Sequence, residues 1–253
     1  MSVESVDPKP VAGAAEPAAR PDSSARVDGR TRARTRALVD PRASQTAQTA
    51  PTPAEPAARL LDWKPTPEQM AAAHGSTIPD VIAPDLRVLF CGINPGLWSA
   101  AVGRHFARPG NRFWPAMYAS GFTPELFTAA RQEELLDLGL GIGNVADRAT
   151  ARADELTAEE LREGGRILTA KAEKYKPAWV AIVGITAYRT AFERKRAAVG
   201  PQPERLADSR IWVLPNPSGL NALWTTPKLA EAFRAFRLAA GLPDRGEGAA
   251  SRP

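Results

Sequence analysis

The sequence predicts an α/β sandwich in which a parallel sheet is covered by helices. Three apolar runs predict the sheet: Arg87–Cys91, Ala178–Val183 and Ile211–Leu214, each ending at a Gly or Pro loop. Such runs suit strands buried on both faces, as a parallel sheet under helices requires. Helix-start signals stand between them, and strand–helix alternation with short connections is the pattern of layered α/β folds.

The elements follow in chain order. Thr66-Pro67-Glu68 places a capping hydroxyl before a proline suited to the first helical position, and Thr123-Pro124-Glu125 repeats the signal. Leu138–Val145 reads as a further strand diluted by three glycines. Thr157 with Glu160 fits a capping box, and Leu161, Ile167, Leu168 and Ala172 follow at helical spacing. Thr226-Pro227 opens a last helix to Ala240, with Leu229, Phe233, Phe236 and Ala240 on one side and Gly241 as its stop.

Composition sets the domain plan. The length of 253 residues suits one or two domains, but no aromatic residue precedes Trp63, and Ala, Pro, Arg, Thr and Ser dominate residues 1–60. Such a stretch cannot bury enough apolar surface to offset its ordering entropy. We expect a disordered basic arm at 1–60, one globular domain at 61–242 and a flexible tail at 243–253. The net charge of +5 leans toward a polyanionic partner. Arg26, Arg30, Arg32, Arg34 and Arg36 are opposed nearby only by Asp28. They form either a solvated tail or a salt-sensitive contact with phosphates.

The single cysteine, Cys91, excludes an intrachain disulfide, a cysteine-ligated iron–sulfur cluster and a Cys₄ zinc site. Two histidines make no His-rich metal site, so no metal or cofactor is expected. No apolar run is long enough to span a bilayer. The N-terminus lacks the apolar core of a secretory signal, and Glu4 and Asp7 argue against a transit peptide. The expectation is a soluble monomer, cytoplasmic or nucleoid-associated.

Ligands of α/β sandwiches sit in loops beyond the carboxyl ends of strands. Two such loops are unusual. In Gly92-Ile93-Asn94-Pro95-Gly96, Gly92 and Gly96 permit positive φ or a close approach, and Pro95 holds Asn94 extended or in a turn. The loop is either an Asn-Pro-Gly turn or a stiff mount for one amide. In Leu214-Pro215-Asn216-Pro217-Ser218-Gly219-Leu220-Asn221, two prolines stiffen the backbone and Gly219 lets it approach something closely. Leu220 at its tip is either an ordinary exposed leucine or a wedge between bases.

Taken together, the two loops, with Asn111-Arg112-Phe113-Trp114, Asp147-Arg148 and Gly164-Gly165-Arg166 in order between them, resemble the mismatch-specific uracil/thymine-DNA glycosylase family (the Mug/TDG type) of the uracil-DNA glycosylase superfamily. The resemblance runs from about Asp85 to Ala240 and omits the arm. It implies a three-layer α/β/α sandwich around a short, mainly parallel sheet. It also implies hydrolysis of the N-glycosidic bond of uracil, etheno-cytosine or thymine mispaired with guanine in duplex DNA, after the nucleotide is rotated out. Asn94 matches the family's catalytic asparagine, which orients a water, and Asn216 matches its second-loop position near the scissile bond. Ile93 and Phe106 match positions that hold the base through backbone groups. The Phe106 ring matches the residue that stacks on the base, though a core aromatic is its other reading. Ser99 falls where small polar residues help hold the pocket and phosphate. Gly219, Leu220 and Asn221 match the segment that fills the gap and meets the orphan guanine.

Three positions depart from that pattern: Trp98 replaces a small residue beside the pocket, Asn144 a common lysine, and Ala222 a common wedge-adjacent arginine. Losing the two cations should weaken DNA retention, and the basic arm could compensate. Competing readings are a module of the same fold that binds lesions with weak or no catalysis, and a phosphate-binding α/β protein. The second would want a Gly-rich loop entering a helix directly, where this chain has prolines and no Gly-Lys-Ser/Thr.

Overall fold

The computed structural model describes residues 64–246, so the expected arm and the end of the tail lie outside the described residues. The described chain is a five-stranded sheet with helices on both faces. Its strands are β1 (Val88–Gly92), β2 (Leu140–Asn144), β3 (Trp179–Val183), β4 (Gly200–Leu206) and β5 (Ser209–Leu214). The spatial order is β2-β1-β3-β5-β4, with β4 antiparallel on β5 and every other pairing parallel. The helices are α1 (Pro67–Ala72), α2 (Leu97–Val102), α3 (Phe113–Ala119), α4 (Ala158–Tyr175), α5 (Ile185–Ala191) and α6 (Thr226–Ala239). A 3₁₀ segment, Ala129–Leu138, leads into β2.

Strand alternation sorts the core into two layers. Val88, Phe90, Ala181, Val183 and Leu214 pack on one face against α3 and α6, with Phe90 edge-on to Phe113 and Phe122 at 5.7 and 5.2 Å. Leu89, Cys91, Val180, Ile182, Ile211 and Val213 pack on the other face against α4 and α5. This is the predicted three-layer sandwich.

Local signals held at some positions and yielded at others. Thr66 and Thr157 each cap a helix within a full capping box. Thr123 caps none: its hydroxyl donates to Glu125 O at 2.8 Å, and the next helical turns begin at Ala129. The cap of α6 is Thr225, one residue earlier than expected, so Pro227 sits at the second helical position. Ile167 is exposed on α4, whose inner face is made by Leu161, Gly164, Gly165, Leu168 and Ala172. The glycines of β2 have a steric cause. The chain at Asp80–Val81 crosses the strand, pairing Val81 with Ile142, and a Cβ on Gly141 or Gly143 would fall 2.6 Å from Val81 O or 2.7 Å from Asp80 Oδ1. β4 has no sequence signal because it carries Pro201 and Pro203, which only an irregular edge strand tolerates. Residues 243–246, expected in the tail, pack on the domain: Arg237 pairs with Asp244 at 2.6 Å and Arg245 N donates to Gly121 O at 2.9 Å.

Candidate active site

The carboxyl ends of β1, β2, β3 and β5 surround one cavity of about 520 Å³. That size lies within the roughly 300–1,000 Å³ range of small-molecule sites. Asn94, Asn216, Ile93, Phe106, Ser99 and Leu220 all line it, although they come from segments far apart in sequence. Gly219 lies just outside, in an adjoining cleft that it shares with Leu220, Ser218 and Arg108. Asn221 lines neither and donates its side-chain amide to Asn216 O at 3.1 Å. Trp98 is likewise absent from the cavity wall.

The orientation of the Asn94 amide is fixed by its neighbours. Asn94 Nδ2 donates to Thr150 Oγ1 at 2.7 Å and to Arg148 O at 2.9 Å. The Thr150 hydroxyl spends its own hydrogen on Arg152 O at 2.7 Å, so toward Asn94 it accepts. Arg148 O can only accept. Both partners therefore demand the NH₂ end, and Oδ1 is left as the acceptor at the cavity. Arg148 is braced in turn: its guanidinium forks onto Glu160, the capping-box glutamate of α4, at 2.6 and 3.2 Å. That hydrogen-bonded pairing, with the Thr157 amide, holds the Glu160 carboxyl down at about 2.

Gly92 serves by close approach, as one of its two expected uses. A Cβ there would lie 2.7 Å from Asn144 Oδ1 and 3.1 Å from the Phe106 ring. Gly96 instead begins α2 as its N-cap. Phe106 sits at φ +53°, a left-handed conformation that a bulky residue rarely adopts. Its ring stacks on Phe113 at 4.0 Å with planes 12° apart, and it lines the cavity. With one face covered by Phe113, the other forms a platform for a flat heteroaromatic group. Ser99 accepts from Ala107 N at 3.1 Å, which ties α2 to the Phe106 segment. Ile93 O already accepts from Ala146 N at 2.9 Å, and Asn216 Oδ1 from Ser218 N at 3.0 Å. These two residues therefore meet a ligand chiefly as donors.

A polar pair at the cavity wall escaped sequence reading. His105 is 2 % exposed, and its Nε2 lies 3.0 Å from Pro79 O, which fixes the proton there. Burial pushes its imidazole below the ordinary histidine range, so the ring is neutral. Nδ1 is then an acceptor, and Asn144 Nδ2 donates to it at 3.4 Å. Asn144 is 5 % exposed and is paired in register with Gly92. A side chain at 144 thus lines the cavity, where it can act on a bound group as well as on DNA retention. Nothing local marks His105, and Thr150 joins Asn94 from 56 residues along the chain.

The rim is polar. Asp154, the carboxylate in the cavity lining, is exposed and forked onto Arg152, with one bond at 3.0 Å. No lysine lines the cavity. Arg108 is exposed at the mouth, and among the described residues no carboxylate pairs with it. Burial pushes the Cys91 thiol up, which makes it an inert core group. An aromatic platform, an oriented amide and a neutral acceptor pair form a site for a planar, hydrogen-bonding base. The family model described as Uracil DNA glycosylase superfamily matches residues 79–238, well over half of the chain and every cavity-lining residue but Ile78. The chain belongs to the uracil-DNA glycosylase superfamily.

Proposed function

We propose that the protein is a monofunctional DNA glycosylase of the mismatch-specific uracil/thymine type. It would hydrolyse the bond between uracil and deoxyribose opposite guanine in duplex DNA, working as a monomer in the cytoplasm, at the nucleoid. The observation that carries this reading is the cavity-lining Asn94 amide, whose nitrogen is held by Thr150 and Arg148 O and whose Oδ1 has no hydrogen-bond partner among the described residues.

The base lies on the Phe106 ring. Asn144 Oδ1 accepts from an imide N–H of the kind uracil and thymine carry and cytosine lacks. Asn94 Oδ1 accepts a hydrogen bond from a water and aims its lone pair at C1′. As the C1′–N bond breaks, positive charge spreads over the sugar and the electron pair leaves with the base. Water oxygen bonds to C1′, and its proton goes to solvent. An amide cannot remove that proton near neutral pH. The rate then depends on how well the base bears negative charge, so uracil and etheno-cytosine leave faster than thymine, etheno-cytosine doing so without the Asn144 contact because it carries no imide N–H. With no lysine at the cavity, water is the nucleophile and the strand stays intact.

The test is a panel of labelled oligonucleotides with uracil, thymine, ethenocytosine or hypoxanthine, each single-stranded and opposite A or G, cleaved with alkali after incubation. Uracil opposite G is released fastest. Asn94→Ala releases none yet binds the duplex nearly as well as wild type. Full activity in that variant, or no base released by the wild type, would refute the assignment.

A further inference from the structure

We propose that Arg112 is a positioning residue that holds the loop Pro217–Trp224 at the height from which Leu220 enters the base stack. This rests on the reading of Leu220 as a wedge.

The loop presents a physical difficulty. Leu220 and Leu223 are 81 % and 79 % exposed, so apolar burial of these leucines cannot hold it. A wedge that separates bases must not give way, and ordering it only on contact would cost conformational entropy at that step. Arg112 supplies the missing anchor. Its guanidinium donates to Ser218 O at 2.9 Å, Gly219 O at 2.8 Å, Asn221 O at 3.2 Å and Trp224 O. Its backbone N–H donates to Pro217 O at 3.0 Å. One residue thus binds five carbonyls of an eight-residue loop, and four of them flank Leu220.

Arg112 is itself fixed. It is the N-cap of α3, followed by the buried Phe113 and Trp114, and Asn111 Oδ1 accepts from Phe113 N at 2.9 Å. The loop is also seated on its own glycine: a Cβ at Gly219 would lie 2.6 Å from Gly110 O. Nη2 meets the carbonyls of Ser218, Gly219 and Asn221 while Nη1 reaches Trp224 O, so the two arms of the planar fork tie both ends of the loop, whereas a lysine ammonium is a single point. The same α3 start carries Phe113, which backs the Phe106 platform. Arg112 therefore sets the wedge against the wall that receives the base.

The experiment is a double-variant cycle on release of uracil from a G·U duplex under single-turnover conditions, with Tm recorded for each protein. Arg112→Lys loses at least about tenfold, because a small positional error at a reacting site carries costs of that order. Leu220→Ala also loses activity. The double variant is no slower than the slower single one, within about twofold, because both changes remove the same event. Losses that multiply, or wild-type kinetics in Arg112→Lys, overturn the proposal. If Arg112→Lys fails to fold, Gly219→Ala carries the same cycle, since its Cβ lifts the loop off Gly110 O and leaves Arg112 in place. A wild-type rate there, or multiplying losses with Leu220→Ala, overturns it equally. A wild-type protein that releases no base removes the glycosylase reading and this proposal together. An active wild type with multiplying losses removes only the proposal.

Discussion

Which end of one amide faces its partners decides what Asn94 can do, and that polarity is set by Thr150 together with Arg148 O. With the Thr150 hydrogen spent on Arg152 O, the amide nitrogen has three acceptors within reach, Thr150 Oγ1, Arg148 O and Pro95 O, and the oxygen is free for water. Thr150→Val keeps the shape but removes the shortest of the bonds to the amide nitrogen, leaving Arg148 O and Pro95 O to hold it more loosely. Single-turnover uracil release should fall about tenfold or more with KM little changed, and Thr150→Ser should restore it. A wild-type rate in the valine variant would show that Thr150 does not orient the amide. His105 gives a second residue-level prediction. Its folded-state pKa lies below the ordinary 6.5, so the unfolded chain binds the proton more readily. The stability this contributes is present above about pH 6.5 and declines as pH falls toward the folded pKa. Urea midpoints measured from pH 8 to 5 should show the decline, and His105→Asn should remove that part of it. A decline unchanged in His105→Asn would place its origin elsewhere. The motif around Asn94 was legible because strand, Gly, Asn and Pro are contiguous. Thr150, His105 and Arg112 act across distances that only the fold closes.

Among the elements, the apolar strands and the capping boxes were legible because a two-sided burial pattern and a local hydrogen bond are written in adjacent residues. What was not legible depends on contacts from elsewhere. The glycines of β2 look like poor strand residues until the crossing segment at Asp80–Val81 is in place, and β4 hides behind its prolines at an irregular edge. The glycine pair in α4 follows the same logic. Intrinsic propensity favours alanine over glycine within a helix by about 1 kcal/mol. A Cβ at Gly164, however, would sit 2.2 Å from Val145 O, and one at Gly165 would sit 2.9 Å from Ala191 O. Overpacking of this kind costs about 1–3 kcal/mol, so the contact outweighs the propensity. Gly164→Ala should lower the urea unfolding free energy. It should also slow uracil release, because Val145 leads into the segment whose Arg148 carbonyl holds Asn94. A more stable Gly164→Ala protein would contradict the packing account.

Over the whole molecule, the question is how a chain of 253 residues with an excess of five positive charges is placed along a polyanion. The resemblance places cations at positions 144 and 222, where this chain has Asn144, buried in the cavity wall, and the exposed Ala222. The charge at the mouth comes instead from Arg108, which lines both the base cavity and the adjoining cleft beside Leu220. The five arginines between Arg26 and Arg36 lie outside the described residues and are either a second contact or a solvated tail. Salt dependence separates the two, since each neutralised phosphate adds about 0.9 to the slope of log affinity against log salt. Arg108→Ala should lower that slope by about one on any duplex, with or without a lesion. Deleting residues 1–58 should lower it by up to about 4.5 if all five arginines meet phosphates. Neither change should alter the ratio of uracil release opposite G to that opposite A if each group meets phosphate, which carries no base identity. An unchanged slope on deletion would mean that the arm is a solvated tail. A slope unchanged by Arg108→Ala would leave the cleft beside the wedge without a phosphate.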